Sequence, residues 1–360
     1  MFYHLLYPLH EYWSALNLFQ YITVRAGGAM LTAFFIWLVA GPWVIGRFRN
    51  WQKGGDTIKD ILPHLAKAGT PTMGGVLVVA SVVVSTLLWC NLLNSYVWLM
   101  LFVFLGFFGI GLADDWCKIT RRWKRGVPGR VRLGLGALVS GLFVLAYIRV
   151  APPDVGTLVV FPFLKSWIVA AGIAGIVLFG VLVIVGSANA VNLTDGLDGL
   201  VSIPAVIVST TMAILAYVVG RVDFTAYLAL PHVPGAGEVA IVCAALSGAM
   251  LGFLWFNAPP AKIFLGDTGS LPVGALLGAV AVMIKQEFAL AIIGGLFVLE
   301  TVSVMMQVAS FKLTGKRMFK MAPLHHHFEQ SGWPESTIVV RFWILSVILA
   351  LVGLATLKVR

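Results

Sequence analysis

Charge is scarce in this sequence. Only 11% of its 360 residues are Asp, Glu, Lys or Arg while 59% are hydrophobic, and mean hydropathy is +0.94, a balance that excludes an ordinary soluble globule. Cysteine is scarcer still. Cys90, Cys117 and Cys243 lie far apart, which excludes a disulfide framework or a cysteine-built zinc site and leaves all three as packing residues. The N-terminus has no basic stretch ahead of an apolar run and no small-residue cleavage site, so no removable signal peptide is expected. No internal repeat is found, and the chain reads as one domain over residues 1 to 360.

What fills the chain instead is uncharged sequence. Runs at 26 to 46, 68 to 113, 166 to 194, 199 to 220 and 239 to 261 are each long enough to cross a bilayer as helix, the second long enough to cross twice. Shorter runs at 133 to 148, 268 to 284 and 342 to 357, and a stretch at 288 to 311 interrupted only by Glu300, bring the expectation to ten spans of an all-α, polytopic membrane protein. A net charge of +10 would point to nucleic acid in a soluble protein. Here the distribution argues otherwise, because most of the 25 basic residues fall in alternate loops: Arg47 to Lys67, Lys118 to Arg132, Lys262, and Lys312 to Lys320. The positive-inside rule makes that side cytoplasmic and both termini periplasmic, with no nucleic-acid partner.

The few acids and amides concentrate in those same loops. Asn189-Ala-Val-Asn-Leu-Thr-Asp-Gly-Leu-Asp-Gly-Leu200 reads as a polar loop at the membrane face. Asn189, Asn192, Asp195 and Asp198 recur every third residue, which turns at least three of them to one side. Asp114 and Asp115 end the third span. Adjacent carboxylates at a membrane boundary repel each other and call for a cation, with salt bridges to Lys118 and Arg121 as the structural alternative. Asp267 sits between two glycines after Asn257 and Phe264, a setting suited to Mg²⁺ held with phosphate oxygens. Phe264 could stack on a base or anchor at the interface. Lys67, in the Gly- and Pro-rich stretch before span two, offers a point charge for phosphate or simply flanks a turn. Glu300 inside span nine needs a partner, for which Arg341 is the expectation. His325, His326 and His327 cannot all aim at one ion from a helix, so hydrogen bonds to phosphate or sugar are expected.

Acids and amides on one face, beside basic residues at headgroup level, describe a metal-assisted phosphoryl transfer between a soluble substrate and a lipid phosphate. Taken together, Asp114-Asp115, Asn189-Ala-Val-Asn-Leu-Thr-Asp-Gly-Leu-Asp-Gly, Phe-Leu-Gly-Asp267-Thr-Gly-Ser and Pro-Leu-His-His-His-Phe-Glu resemble the phospho-N-acetylmuramoyl-pentapeptide transferase family over essentially the whole chain. The resemblance implies a ten-span homodimer of the bacterial inner membrane with a cytoplasmic, Mg²⁺-dependent site. It would join UDP-N-acetylmuramoyl-pentapeptide to undecaprenyl phosphate, giving lipid I and UMP. It further implies Asp267 and Asp115 as metal ligands, and Asp114 with Asp115 as the acids at the lipid phosphate. Lys67, Lys118, Asn192, Asp195, Gly196, Leu197, Asp198, Asn257, Phe264, Gln307 and the three histidines would contact substrate. A WecA-type UDP-N-acetylglucosamine transferase is the rival within the enzyme class, and a transporter of an anionic substrate the rival outside it. The triple histidine favours the muramoyl donor, and acids gathered at one face rather than at midplane disfavour the transporter.

Overall fold

The computed structural model describes residues 1–52, 69–120, 126–161 and 168–358. Lys67 and the basic residues Arg121, Arg122, Lys124 and Arg125 lie outside them. A short N-terminal helix α1 (Phe2–Leu6) and two 3₁₀ turns lead into α2 (Ile22–Gln52), α3 (Gly75–Trp89), α4 (Ser95–Ile119) and α5 (Gly129–Val150). A small antiparallel hairpin follows, β1 (Leu158–Val160) with β2 (Ile168–Ala170). The chain continues through α6 (Gly172–Thr194), α7 (Ser202–Val219), α8 (Val222–Leu228), α9 (Gly237–Asn257), α10 (Asp267–Ile284), α11 (Glu287–Ile293), α12 (Gly295–Thr314), α13 (Leu324–Glu329) and α14 (Glu335–Ala355).

Among the described residues nine helices are long and apolar enough to span a bilayer, and α3, with 15 residues, is a shorter apolar helix. Nine of the ten expected spans are thus matched by helices of spanning length, and α3 stands where the second was expected. At about 1.5 Å per residue, α3 is shorter than a hydrocarbon core of roughly 30 Å. The cause is a long-range pairing. Phe264 N–H donates to Pro71 O at 2.9 Å, while Gly74 and Gly75 N–H donate to Phe264 O at 2.8 Å and Leu265 O at 2.9 Å. Pro71 O and the N–H groups of Gly74 and Gly75 are thus satisfied by another loop, and α3 begins only at Gly75.

The centre of the bundle is α10, in which every residue from Thr268 to Ile284 is buried, as expected of a helix apolar on all sides. It packs chiefly on α4 and α6. The exposed apolar side chains sit instead on outer helices such as α2 (Leu31, Phe35, Val39) and α14 (Ile344, Ile348, Leu351).

Three expectations need correction. The stretch 189 to 200 is not a loop throughout, because α6 continues to Thr194 and only the residues beyond it turn. The stretch 288 to 309 is not one helix: α11 stops at the Gly294-Gly295 pair and α12 starts afresh, glycines being poor helix formers that permit such breaks. Glu300 does not meet Arg341. Its carboxylate contacts His325, and Arg341 instead lies over the Trp333 ring, 4.2 Å from its centroid, a cation–π contact that suits a guanidinium at an interface.

Candidate active site

Alternating helices bring the ends of α4, α6, α9 and α12 and the starts of α5, α10 and α14 to one end of the bundle, and the acids meet there. Asp267, the first residue of α10, is fixed from three sides. Lys118 Nζ donates to its Oδ2 at 3.0 Å, Arg132 Nη1 to the same oxygen at 3.0 Å, and Asn192 Nδ2 to Oδ1 at 2.6 Å. Asn192 also reaches Ser270 Oγ at 2.8 Å. Asp114 pairs with Lys118 at 2.5 Å, one helical turn on, and accepts Val127 N–H at 2.7 Å. Asp115 accepts both N–H and Oγ1–H of Thr268, at 2.9 and 2.5 Å.

Two glycines make this approach possible. A β-carbon at Gly111 would overlap the carbonyl of Asp267, so α4 can come this close to the start of α10 only without a side chain there. Gly266 has φ +74° and a β-carbon at it would sit 2.5 Å from Asp115 Oδ2, a backbone region and a space that both require glycine.

Ligand atoms of Asp114, Asp115 and Asp267 lie within 4.8 Å of one another. Asp195, at the end of α6, has its carboxyl pushed up to about 7 by burial and then by the charges of Asp267 and Asp115, with a Gly266 N–H pulling the other way. Among the described residues, Lys118 and Arg132 thus face more carboxyl groups than they can pair, Asp114, Asp115 and Asp267 with Asp195 beside them. Carboxyl groups crowded in this way repel one another when ionised, which a bound cation would relieve. An all-oxygen donor set without Cys or His suits a hard cation. The cluster could hold a metal.

The remaining expected site residues surround this centre at different depths. Gly196, Leu197 and Asp198 form the turn after α6. Leu197 points into a second core cluster with Leu296, Ile338 and Phe342, and Asp198 accepts Ala261 N–H at 3.0 Å. Asn257 is 3% exposed and fully engaged, accepting Gly199 N–H at 2.8 Å and donating to Ile263 O at 2.9 Å; it ties that turn to the loop before α10. Phe264 is half-buried in the same loop. Gln307 binds the backbone of Met318 and Phe319 and so shapes the approach to α13. His325 is buried against Glu300, while Nδ1 of His326 contacts Glu329 and Nδ1 of His327 accepts Lys320 N–H. Asn189 turns back onto Val185 O at 2.8 Å and stays apart.

Arg132, Thr268 and Ser270 join the site although the sequence reading gave them no role there. A signal existed for Arg132: it lies near the start of α5, where the helix dipole disfavours cations unless an anion is present. Arg132→Ala is expected to lower activity by about 10- to 100-fold, the equivalent of one lost charge-assisted hydrogen bond. Arg130→Ala, at an exposed neighbour, should leave activity unchanged in the same assay.

The chain matches Glycosyl transferase family 4 over residues 97–285 and the phospho-N-acetylmuramoyl-pentapeptide-transferase signature 1 over residues 67–79. It is 52% identical to a phospho-N-acetylmuramoyl-pentapeptide-transferase of Granulibacter bethesdensis over 364 residues, covering 100% of both chains. A protein of the same name from Rhodopseudomonas palustris is 52% identical over 348 residues, 96% of each chain. One from Maricaulis maris is 52% identical over 374 residues, again covering 100% of both.

Proposed function

The chain belongs to glycosyl transferase family 4 and, within it, to the phospho-N-acetylmuramoyl-pentapeptide-transferases, and from that premise we propose how its site works. The protein is a multi-pass bacterial membrane enzyme that transfers phospho-N-acetylmuramoyl-pentapeptide from UDP-N-acetylmuramoyl-pentapeptide to undecaprenyl phosphate, giving lipid I and UMP. The relatives' names speak for this donor over the acetylglucosamine donor of a WecA-type enzyme. In the proposal it works in the inner membrane as a homodimer, its acid-rich end facing the cytoplasm.

The observation that carries the chemistry is the meeting of Asp114, Asp115 and Asp267 with Lys118, Arg132 and Asn192 where spans end, the level at which a lipid phosphate and a soluble nucleotide can meet. An oxygen of the lipid phosphate attacks the phosphorus next to the sugar, and the bond from that phosphorus to the bridging oxygen of UMP breaks. Two like unit charges about 4 Å apart repel by roughly 4 kcal/mol at an effective dielectric near 20, so the protein's task is charge management. Lys118 and Arg132 offset that repulsion from positions already fixed by Asp267. Mg²⁺, held by Asp115 and Asp267 with Asp114 beside them, would supply Lewis-acid neutralisation of the phosphate oxygens. A phosphate monoester with a second pKa near 6 is largely dianionic at neutral pH, so Asp114 and Asp115 need to position the nucleophile rather than deprotonate it. Phe264 and the Asp195-to-Asp198 turn are assigned to the nucleotide, and the His325 helix to the sugar.

The test is transfer by the purified protein with Mg²⁺, offered either UDP-N-acetylmuramoyl-pentapeptide or UDP-N-acetylglucosamine. Lipid-linked product from the muramoyl donor alone is expected. Product from the acetylglucosamine donor alone would contradict the proposal, and labelled phosphate left on the protein by donor alone would replace direct attack with a covalent route.

A further inference from the structure

The three consecutive histidines are held by three different partners, and those partners decide where each ring keeps its proton. Glu300, fully buried in α12, takes His325 with both oxygens: Oε1 accepts the backbone N–H at 3.2 Å and Oε2 lies 3.1 Å from Nδ1. A carboxylate offers only acceptors, so Nδ1 carries hydrogen and the neutral ring has its lone pair at Nε2. His326 is set the same way by Glu329 at 2.9 Å, while His327 Nδ1 accepts Lys320 N–H at 3.2 Å, which leaves its hydrogen on Nε2. The row therefore presents an acceptor, an acceptor and a donor.

His325 stands out among them. Its Nε2 is buried and has no hydrogen-bond partner among the described residues. It faces the turn after α6, so closely that a β-carbon at Gly196 would overlap it, and Gly196 directly follows Asp195 of the acidic cluster. A buried polar atom left without a partner beside a reaction centre is held there at a cost that a bound ligand would relieve.

We propose that Glu300 is a positioning residue that locks His325 with hydrogen on Nδ1, so that Nε2 accepts a hydrogen bond from a hydroxyl or amide N–H of the donor's N-acyl sugar. The inference rests on the transferase reading and narrows it. A ring nitrogen offering a lone pair repels ionised phosphate oxygens, so His325 selects the sugar portion and contributes nothing to holding the diphosphate.

Glu300→Gln tests this, because the glutamine is nearly isosteric but has one acceptor and one donor end. The backbone N–H of His325 cannot give up its hydrogen, so Oε1 must stay with it and the NH₂ must face Nδ1. The ring then moves its hydrogen to Nε2 and presents the opposite polarity to the substrate. In ¹⁵N spectra of histidine-labelled protein, His325 should be the Nδ1–H form in the wild type and the Nε2–H form in the variant. The KM for the muramoyl donor should rise at least about tenfold, as for a buried bond turned into a mismatch, while inhibition by UMP, which lacks the sugar, changes by less than about twofold. A wild-type ring with hydrogen on Nε2 or on both nitrogens would overturn the proposal. So would a tautomer switch without a rise in KM, or a parallel loss of UMP affinity, which would mark Glu300 as merely structural. A wild type without any transfer would overturn the transferase reading instead, and the ring spectra would still decide the positioning claim by themselves.

Discussion

Asp267→Asn is expected to lower transfer by at least about 100-fold, on the order of 3 kcal/mol of lost transition-state stabilisation, with the fold retained. The substitution keeps shape and removes one charge from a residue that Lys118, Arg132 and Asn192 all address. Those cations then lose the anion that fixes them, and the carboxyl cluster loses a negative charge that would attract a divalent ion. Asp115 keeps both bonds from Thr268, so the end of α4 stays tied to the start of α10. The readout is the rate of lipid-linked product at saturating Mg²⁺, alongside thermal unfolding of the same preparation. Near wild-type transfer by a folded Asp267→Asn protein would remove Asp267 from the chemistry.

The second large effect is expected at a residue with no functional group. Gly111→Ala adds one methyl where the carbonyl of Asp267 already fills the space. Overpacking of this kind costs about 1–3 kcal/mol, and α4 and α10 can relieve it only by separating, which pulls Asp114 and Asp115 away from Asp267. A misplacement of about 1 Å at a reacting centre is worth roughly 100-fold in rate. Gly109→Ala is the control on the same helix, because nothing lies within 4 Å of a β-carbon there. Activity lost at Gly111 and kept at Gly109 would show that the spacing between the two helices holds the acids in register, whereas equal effects would point to helix propensity alone.

The spans were legible because a bilayer demands about 20 apolar residues in a row, and composition alone reveals that. The short α3 was not, since it depends on residues 71 to 75 pairing with 264 to 265, a contact nearly 200 residues away. The three-residue spacing of the acids and amides held in part. Asn192 reaches Asp267 and Asp195 lies close enough to feel its charge, but Asn189, further from the end of α6, spends its amide on Val185 O of its own helix. Glu300 shows why charge matching from sequence fails inside a membrane. Arg341 had the right sign, yet a histidine on a short helix supplies two donors at once, and Arg341 is better served by an aromatic face. Arg132 differed from the other basic residues only in lying near the start of a helix, and Asp267, 3.0 Å from it, is the anion that this position calls for.

The most direct test of the central claim, that Asp114, Asp115 and Asp267 form the metal-dependent centre of this transferase, is an Mn²⁺ titration followed by electron paramagnetic resonance on the purified wild type and on Asp115→Asn, with Mg²⁺ restoring transfer after chelation. One saturable Mn²⁺ site per chain, weakened at least about tenfold in the variant and competed by the Mg²⁺ that restores activity, is the predicted result. Transfer that survives chelation, or an Mn²⁺ site indifferent to Asp115, would contradict it.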